Sequence, residues 1–182
     1  MAARAAAAPK RHAHPGREAL PTQYLTFFVG EHEYAIEILM VREVLEYEAV
    51  TPVPLTPACI RGVMNVRGSA APIIDLAFKF TGQSQPTTMK TCVVMVELAG
   101  PDGKTAMGIV ADSVNRISEF SDADISAPPA FGIPIHIEYL KALGKVGRGF
   151  VYILDIEKVL STEELLAVSA LDNEDARAER SS

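Results

Sequence analysis

The sequence is one unit written twice, and this repetition limits the fold more than any single motif does. At an offset of 80 residues, Ile60 meets Leu140, Val66 meets Val146, Ile74 meets Leu154, Asp75 meets Asp155 and Leu76 meets Ile156. Nearer the start of each half the offset is 73: Ala35 meets Gly108, Ile36 meets Ile109, Val41 meets Val114 and Val44 meets Ile117. A loop of different length accounts for the change. Each half holds about five short strand-like runs, with proline breaks at matching places. Short strands with frequent turns favour small barrels, which hide their edges by closing. Two such barrels packed together share a larger core than either builds alone. The expected fold is mainly β. A first five-stranded barrel spans about 24–85 and a second about 90–156, with exchange of terminal elements between them allowed.

Composition supports a folded body. Of 182 residues 48% are hydrophobic, enough for a sizeable core and against disorder. The formal net charge of −6 argues against nucleic acid, which calls for a basic face. Arg4, Lys10, Arg11 and Arg17 stand against Glu18 alone at the start, so the remainder is more acidic than the total. Residues 1–21 read as a disordered tail, because their longest apolar run, Ala5–Ala8, is too short for a secretory signal. No apolar run approaches the roughly 18 residues that cross a bilayer. Cys59 and Cys92 show no CxxC or zinc spacing, and a reduced intracellular compartment fits them best.

Along the chain, Tyr24–Gly30 and Tyr34–Ile38 read as a hairpin around a polar turn. Leu39–Tyr47 reads mostly as strand. Three prolines in Val50–Pro57 force an extended loop or an edge. Ile60–Leu76 carries two strand signals around Asn65-Val66-Arg67-Gly68. Ala77–Phe80 reads as a short turn or helix, and Thr81–Met89 as a linker. Lys90–Leu98 and Thr105–Ala111 form a second hairpin, followed by Asp112–Phe120. Ile137–Leu143 reads as a short turn or helix and Phe150–Ile156 as a strand. From Glu157 onward the chain reads as helical, with Ser161 as a candidate N-cap and Glu163 and Glu164 in the first turn, and 167–182 read as the helix end and a charged tail.

Chemistry is hard to find. Gly103-Lys104-Thr105 looks like the end of a phosphate loop, but the upstream glycine would fall at Leu98. Gly144–Gly149 is glycine-rich but precedes a strand rather than a helix. His12, His14, His32 and His136 lack a second ligand at metal spacing, so neither a metal nor another cofactor is expected. No serine or cysteine has an evident base. Asp75 and Asp155 occupy matching places, where each is expected to accept backbone hydrogen bonds at a strand end. No enzymatic activity is expected.

What remains is a surface. Asn65 and Arg67 match Lys145 and Gly147. A residue that the barrel itself needs should recur in both copies, and these do not. Glu43, among Val41, Val44 and Leu45, is the natural partner of Arg67, and an arginine–carboxylate pair can fix both side chains in orientation. Such a pair can be an ordinary salt bridge or can position a docking patch, and the two roles are compatible.

The series Phe28-Val-Gly-x-x-x-Tyr34-Ala-Ile-x-Ile38, Val41-x-Glu43-Val44, Pro57-x-x-Ile60-x-Gly62-Val63-x-Asn65-x-Arg67-Gly68 and Pro72-Ile-Ile-Asp75-Leu76 resembles the CheW family of bacterial chemotaxis coupling proteins. Gly108-Ile-Val-x-Asp112-x-Val114 and Ile153-x-Asp155-Ile156-x-Lys158 extend the likeness, which runs over about 22–166. The resemblance implies two packed SH3-like five-stranded barrels and a non-catalytic adaptor. Its partners would be the regulatory domain of the histidine kinase CheA and the cytoplasmic tips of methyl-accepting chemoreceptors. It would be cytoplasmic and recruited to the inner membrane face through those receptors, without inserting into the bilayer. Carried over by motif, Val41, Gly62, Asn65, Arg67, Val114 and Ile117 would face the receptor. Ile38 and Leu39 would lie toward the kinase, and Glu43 would pair with Arg67.

Alternatives within that resemblance are a CheV-type adaptor, for whose receiver domain 182 residues leave no room, and an adaptor of a non-flagellar chemosensory pathway. An RNA-binding SH3-like barrel is the reading from another class, and the acidic body opposes it. Ala70 and Ala71 are smaller than the β-branched residues usual for the family before Pro-Ile-Ile-Asp-Leu.

Overall fold

The structure is a computed structural model that describes residues 20–100 and 103–160. The first hairpin joins β1 (Thr22–Val29) to β2 (His32–Glu37). A 3-10 turn at Ile38–Met40 leads into β3 (Val41–Glu46). The hairpin of β4 (Ile60–Val66) and β5 (Ser69–Asp75) runs into the short helix α1 (Leu76–Thr81). Then come β6 (Cys92–Gly100), β7 (Gly103–Ala111), β8 (Ser113–Phe120) and the two-residue β9 (Ile125–Ser126). The last hairpin, β10 (Leu140–Val146) and β11 (Gly149–Leu154), runs into α2 (Ile156–Leu160).

The repeat is visible element by element: β1–β2–β3 matches β6–β7–β8, and β4–β5–α1 matches β10–β11–α2. Each β–β–α unit ends on an aspartate that caps the helix. Asp75 Oδ1 accepts the Phe78 N–H at 3.0 Å, and Asp155 Oδ1 accepts the Lys158 N–H at 3.2 Å. Both carboxylates thus satisfy donors that a helix start leaves open.

The sheets do not follow the two halves of the chain. One runs in the order β8-β1-β2-β11-β10-β9 and the other β3-β6-β7-β5-β4. The spans 24–85 and 90–156 are therefore not the barrels. Hairpin β1–β2 lies in the sheet of the second half, against β11, and β6–β7 lies in that of the first, against β5. The two hairpins are equivalent, so either fits either slot. Their exchange carries the chain from one sheet to the other at β2–β3 and back at β7–β8, tying the barrels together. Each barrel closes in the same manner. The chain leaves edge strand β8 and pairs as β9 with the opposite edge, β10. Likewise it leaves β3 and bridges from Thr51 to Val63 of β4.

Exchange also explains the continuous apolar runs. Strands at the centre bury both faces, so alternation disappears. In β6, Val93 and Met95 join the interior of one barrel with Met64, Ile73 and Val110. Val94 and Val96 join the large cluster that the two sheets share, with Phe27, Ile36, Ile74 and Ile109. Tyr24, Ala35, Phe120, Val151 and Ile153 fill the other barrel.

One local expectation fails. Beyond a 3-10 turn at Ile137–Tyr139, the segment read as turn or helix is strand β10, because its Leu140 and Ala142 face buried clusters at alternate positions. The chain turns helical at Ile156, one residue before the expected Glu157, with Asp155 as the cap of α2. Ser161, Glu163, Glu164 and the charged tail lie outside the described residues, as do residues 1–19.

Burial pushes the Tyr34 phenol well above its ordinary range, with Tyr152 adding to the shift. A phenol held neutral by the fold stabilises it fully below the unfolded-chain value and loses that contribution as pH rises toward the folded value. Stability is therefore expected to hold to about pH 10 and then fall. Tyr34→Phe should flatten that alkaline fall in denaturant titrations across pH. An unchanged slope would contradict the assignment.

Candidate functional site

The turn between β4 and β5 carries the polar residues that the repeat left unmatched. Val66 pairs with Ser69, and the two residues between them both have positive φ, +53° at Arg67 and +85° at Gly68. This is the two-residue turn whose twist matches paired strands. Asn65 holds it, its Oδ1 accepting the Gly68 N–H at 2.9 Å. In the twin turn of β10–β11, Gly147 occupies the place of Arg67 at φ +55°. Left-handed backbone costs a non-glycine residue about 1–2 kcal/mol. Arg67 carries that cost where its counterpart avoids it. An observed outlier of this kind points to a use for the side chain.

That side chain reaches to β3. Arg67 Nη2 donates to Glu43 Oε2 at 3.0 Å. Because β3 and β4 are the two edges of one sheet, the pair spans the seam where the barrel closes. Arg67 is 70% exposed and Glu43 20%. The contact uses one carboxylate oxygen; Glu43 Oε1 is buried with no hydrogen-bond partner among the described residues. An exposed pair of this kind adds about 0–1 kcal/mol, less than the backbone cost at Arg67. In the twin unit Arg116 stands at the position of Glu43, so the pair is unrepeated. Beside it lies a shallow cleft of about 480 Å³, lined by Glu43, Leu45, Glu46, Met64 and Arg67 among others.

The other sequence candidates separate into two kinds. Val41 on β3 and Val114 on β8 are half-buried and pack, one from each sheet, against the shared cluster. Three positions further along each strand, Val44 is 43% and Ile117 56% exposed. Val44 entered the sequence reading as part of the repeat and of the Val41-x-Glu43-Val44 motif, without a place among the receptor-facing residues. Matched apolar residues on two outward strand positions were the signal that marked it. Ile38 packs on the shared cluster, while Leu39 beside it is 89% exposed.

Gly62 offers no surface. It is buried at a bulge between β4 and β5 with φ +144°, and a Cβ there would lie 2.0 Å from the Thr51 carbonyl oxygen. It lets the loop after β3 close the barrel. Gly62→Ala is expected to cost about 2–3 kcal/mol through strained backbone and crowding. A melting curve that does not move would show that the loop shifts freely.

Sequence reasoning missed a polar network at the far end of the β4–β5 hairpin from the turn. Arg61 Nε donates to Asp75 Oδ2 at 2.8 Å and Nη1 to the Tyr47 hydroxyl at 3.1 Å. The guanidinium lies 5.3 Å from the Tyr47 ring centre. Burial alone would lower its pKa, but the Tyr47 and Asp75 hydrogen bonds and charges outweigh that and raise it. Asp75 is 1% exposed. The twin position of Arg61 is Lys141, which turns instead to Glu37.

Known proteins match the chain over most of its length. The family model described as CheW-like domain matches residues 23–164. The chain is 37% identical over 151 residues to Chemotaxis protein CheW of Klebsiella aerogenes, covering 83% of this chain and 89% of that protein. It is 30% identical over 154 residues to Protein FrzA of Myxococcus xanthus, covering 84% of this chain and 94% of that protein. The crystal structure of the scaffolding protein TtCheW from Thermoanaerobacter tengcongensis shares the fold, with a TM-score of 0.71 at 23% identity. That alignment covers 85% of this chain and 96% of the other. The matched span includes the exchanged hairpins, both capping aspartates and the Glu43–Arg67 seam, and the chain belongs to the CheW family.

Proposed function

We propose that the chain is a non-catalytic adaptor that couples chemoreceptors to the histidine kinase CheA in chemotaxis arrays at the cytoplasmic face of the inner membrane. The observation that carries this reading is Arg67, held on strained backbone and paired with Glu43 across the barrel seam, in one copy of the repeat and not the other. Val41, Val114 and Ile117 supply the apolar part of the receptor-facing surface. Gly62 and Asn65 act from behind it by shaping the bulge and the turn. Leu39, on the 3-10 turn that links the two sheets, is the exposed group for the kinase, with Ile38 anchoring it to the shared cluster.

A pull-down with receptor tip fragments and the CheA regulatory domain tests the division of surfaces. The unaltered chain should capture both. Leu39→Asp should lose CheA and keep the receptor, and Arg67→Glu should do the reverse. Capture of neither protein by the unaltered chain would overturn the reading.

A further inference from the structure

In each barrel the central parallel pair is short, three residue pairs between β5 and β7 and two between β11 and β2, and the gap beside β5 has its own lining. β5 and β7 pair in parallel over Ile73–Asp75 and Gly108–Val110 and then part. Before those pairs, Ser69–Pro72 are paired with β4 alone and Gly103–Met107 with β6 alone. Each strand therefore turns an unpaired backbone edge toward the other. The opening between them holds about 410 Å³, and Ala70, Ala71 and Pro72 form one wall. In the twin barrel the matching residues are the bulkier Phe150 and Val151. The other wall is lengthened. Hairpin β6–β7 continues through Ala99↔Lys104 and Gly100↔Gly103, beyond the last pair that matches β1–β2, Leu98↔Thr105 against Val29↔His32.

The rim is basic. Arg42, Arg67 and Lys104 line the opening, and Glu97 is its acidic residue. Lys104 lies 3.6 Å from Glu97, and Arg67 bonds Glu43, but the two cations are 75% and 70% exposed and keep further donors toward solvent. Arg42 is exposed as well. Open strand edges recognise an extended chain through its backbone, and flanking pockets or charges then select its side chains.

We propose that this gap receives an extended acidic segment of a partner protein, added as a strand along an open edge of β5 or β7. Apolar side chains of the segment point inward beside Ala71, and its alternate carboxylates point outward to meet Arg42, Arg67 and Lys104. The proposal does not depend on the adaptor reading, because it rests on strand pairing, volume and charge alone.

The test is fluorescence anisotropy of a labelled Val-Glu-Val-Glu-Val-Glu peptide with the full chain. Saturable binding is expected, with none for a Val-Lys-Val-Lys-Val-Lys peptide. Ala70→Phe, which copies the twin barrel, should weaken binding at least tenfold, and so should the double change Arg42→Glu and Lys104→Glu at the rim. Backbone amide shifts on binding should fall within 69–71 and 103–107, Pro72 having no N–H. Equal binding of the lysine peptide, full binding by both variants, or shifts on β3 and β8 instead would overturn the proposal. Self-association of the chain without peptide, abolished by Ala70→Phe, would assign the gap to a second copy and also overturn it.

Discussion

Asp75→Ala is expected to remove about 3–5 kcal/mol of stability, the cost of stranding a buried charge by removing its partner. The change leaves the Arg61 guanidinium facing the space of a lost carboxylate, and it also uncaps α1. The same substitution at Asp155 should cost about 1 kcal/mol, the value of an N-cap alone. Asp155 caps α2, but its side chain is partly exposed, and its contact with Lys158 is a 3.9 Å surface pair. Urea denaturation of the two variants measures the difference directly. Similar losses at both sites would show that the Arg61–Asp75–Tyr47 network contributes little beyond the cap.

Arg67 should behave in the opposite way, with a large functional effect and a small structural one. Arg67→Gly installs the residue of the twin turn. It removes a backbone cost of about 1–2 kcal/mol and an ion pair worth about 0–1 kcal/mol, so the protein should melt at or slightly above its original temperature. Arg67→Glu should stay within about 1 kcal/mol, because the group is largely exposed. Both should reduce receptor-dependent activation of CheA at least tenfold, about 1.4 kcal/mol or more of docking free energy. A large drop in melting temperature for Arg67→Gly would mean that the pair holds the barrel seam, against the small structural effect expected, and unchanged activation by the folded variants would remove the docking role.

The repeat made the barrels legible from the sequence, since matched apolar residues, prolines and the two capping aspartates specify the same unit twice. It could not say which hairpin completes which barrel. Equivalent hairpins present equivalent apolar faces, and both slots offer a parallel edge, β5 or β11. The Glu43–Arg67 pair was legible because two charges in apolar surroundings had no match in the other half. Arg61 was not. Its buried acceptor, Asp75, is a repeated residue whose capping role already accounts for it, and the strand pattern that ends at Tyr47 carries no signal of which side chain its hydroxyl meets. The left-handed φ of Arg67 was hidden too, and became visible once the twin turn set Gly147 beside it.

The most direct test of the adaptor account is the kinase activity of CheA in a reconstituted mixture with receptor-containing membranes, measured with and without this chain. Activity should rise strongly when all three components are present and stay at the basal level when the chain is omitted or replaced by Arg67→Glu. Activity that is indifferent to the chain, in a mixture where the chain is shown to be folded, would contradict it.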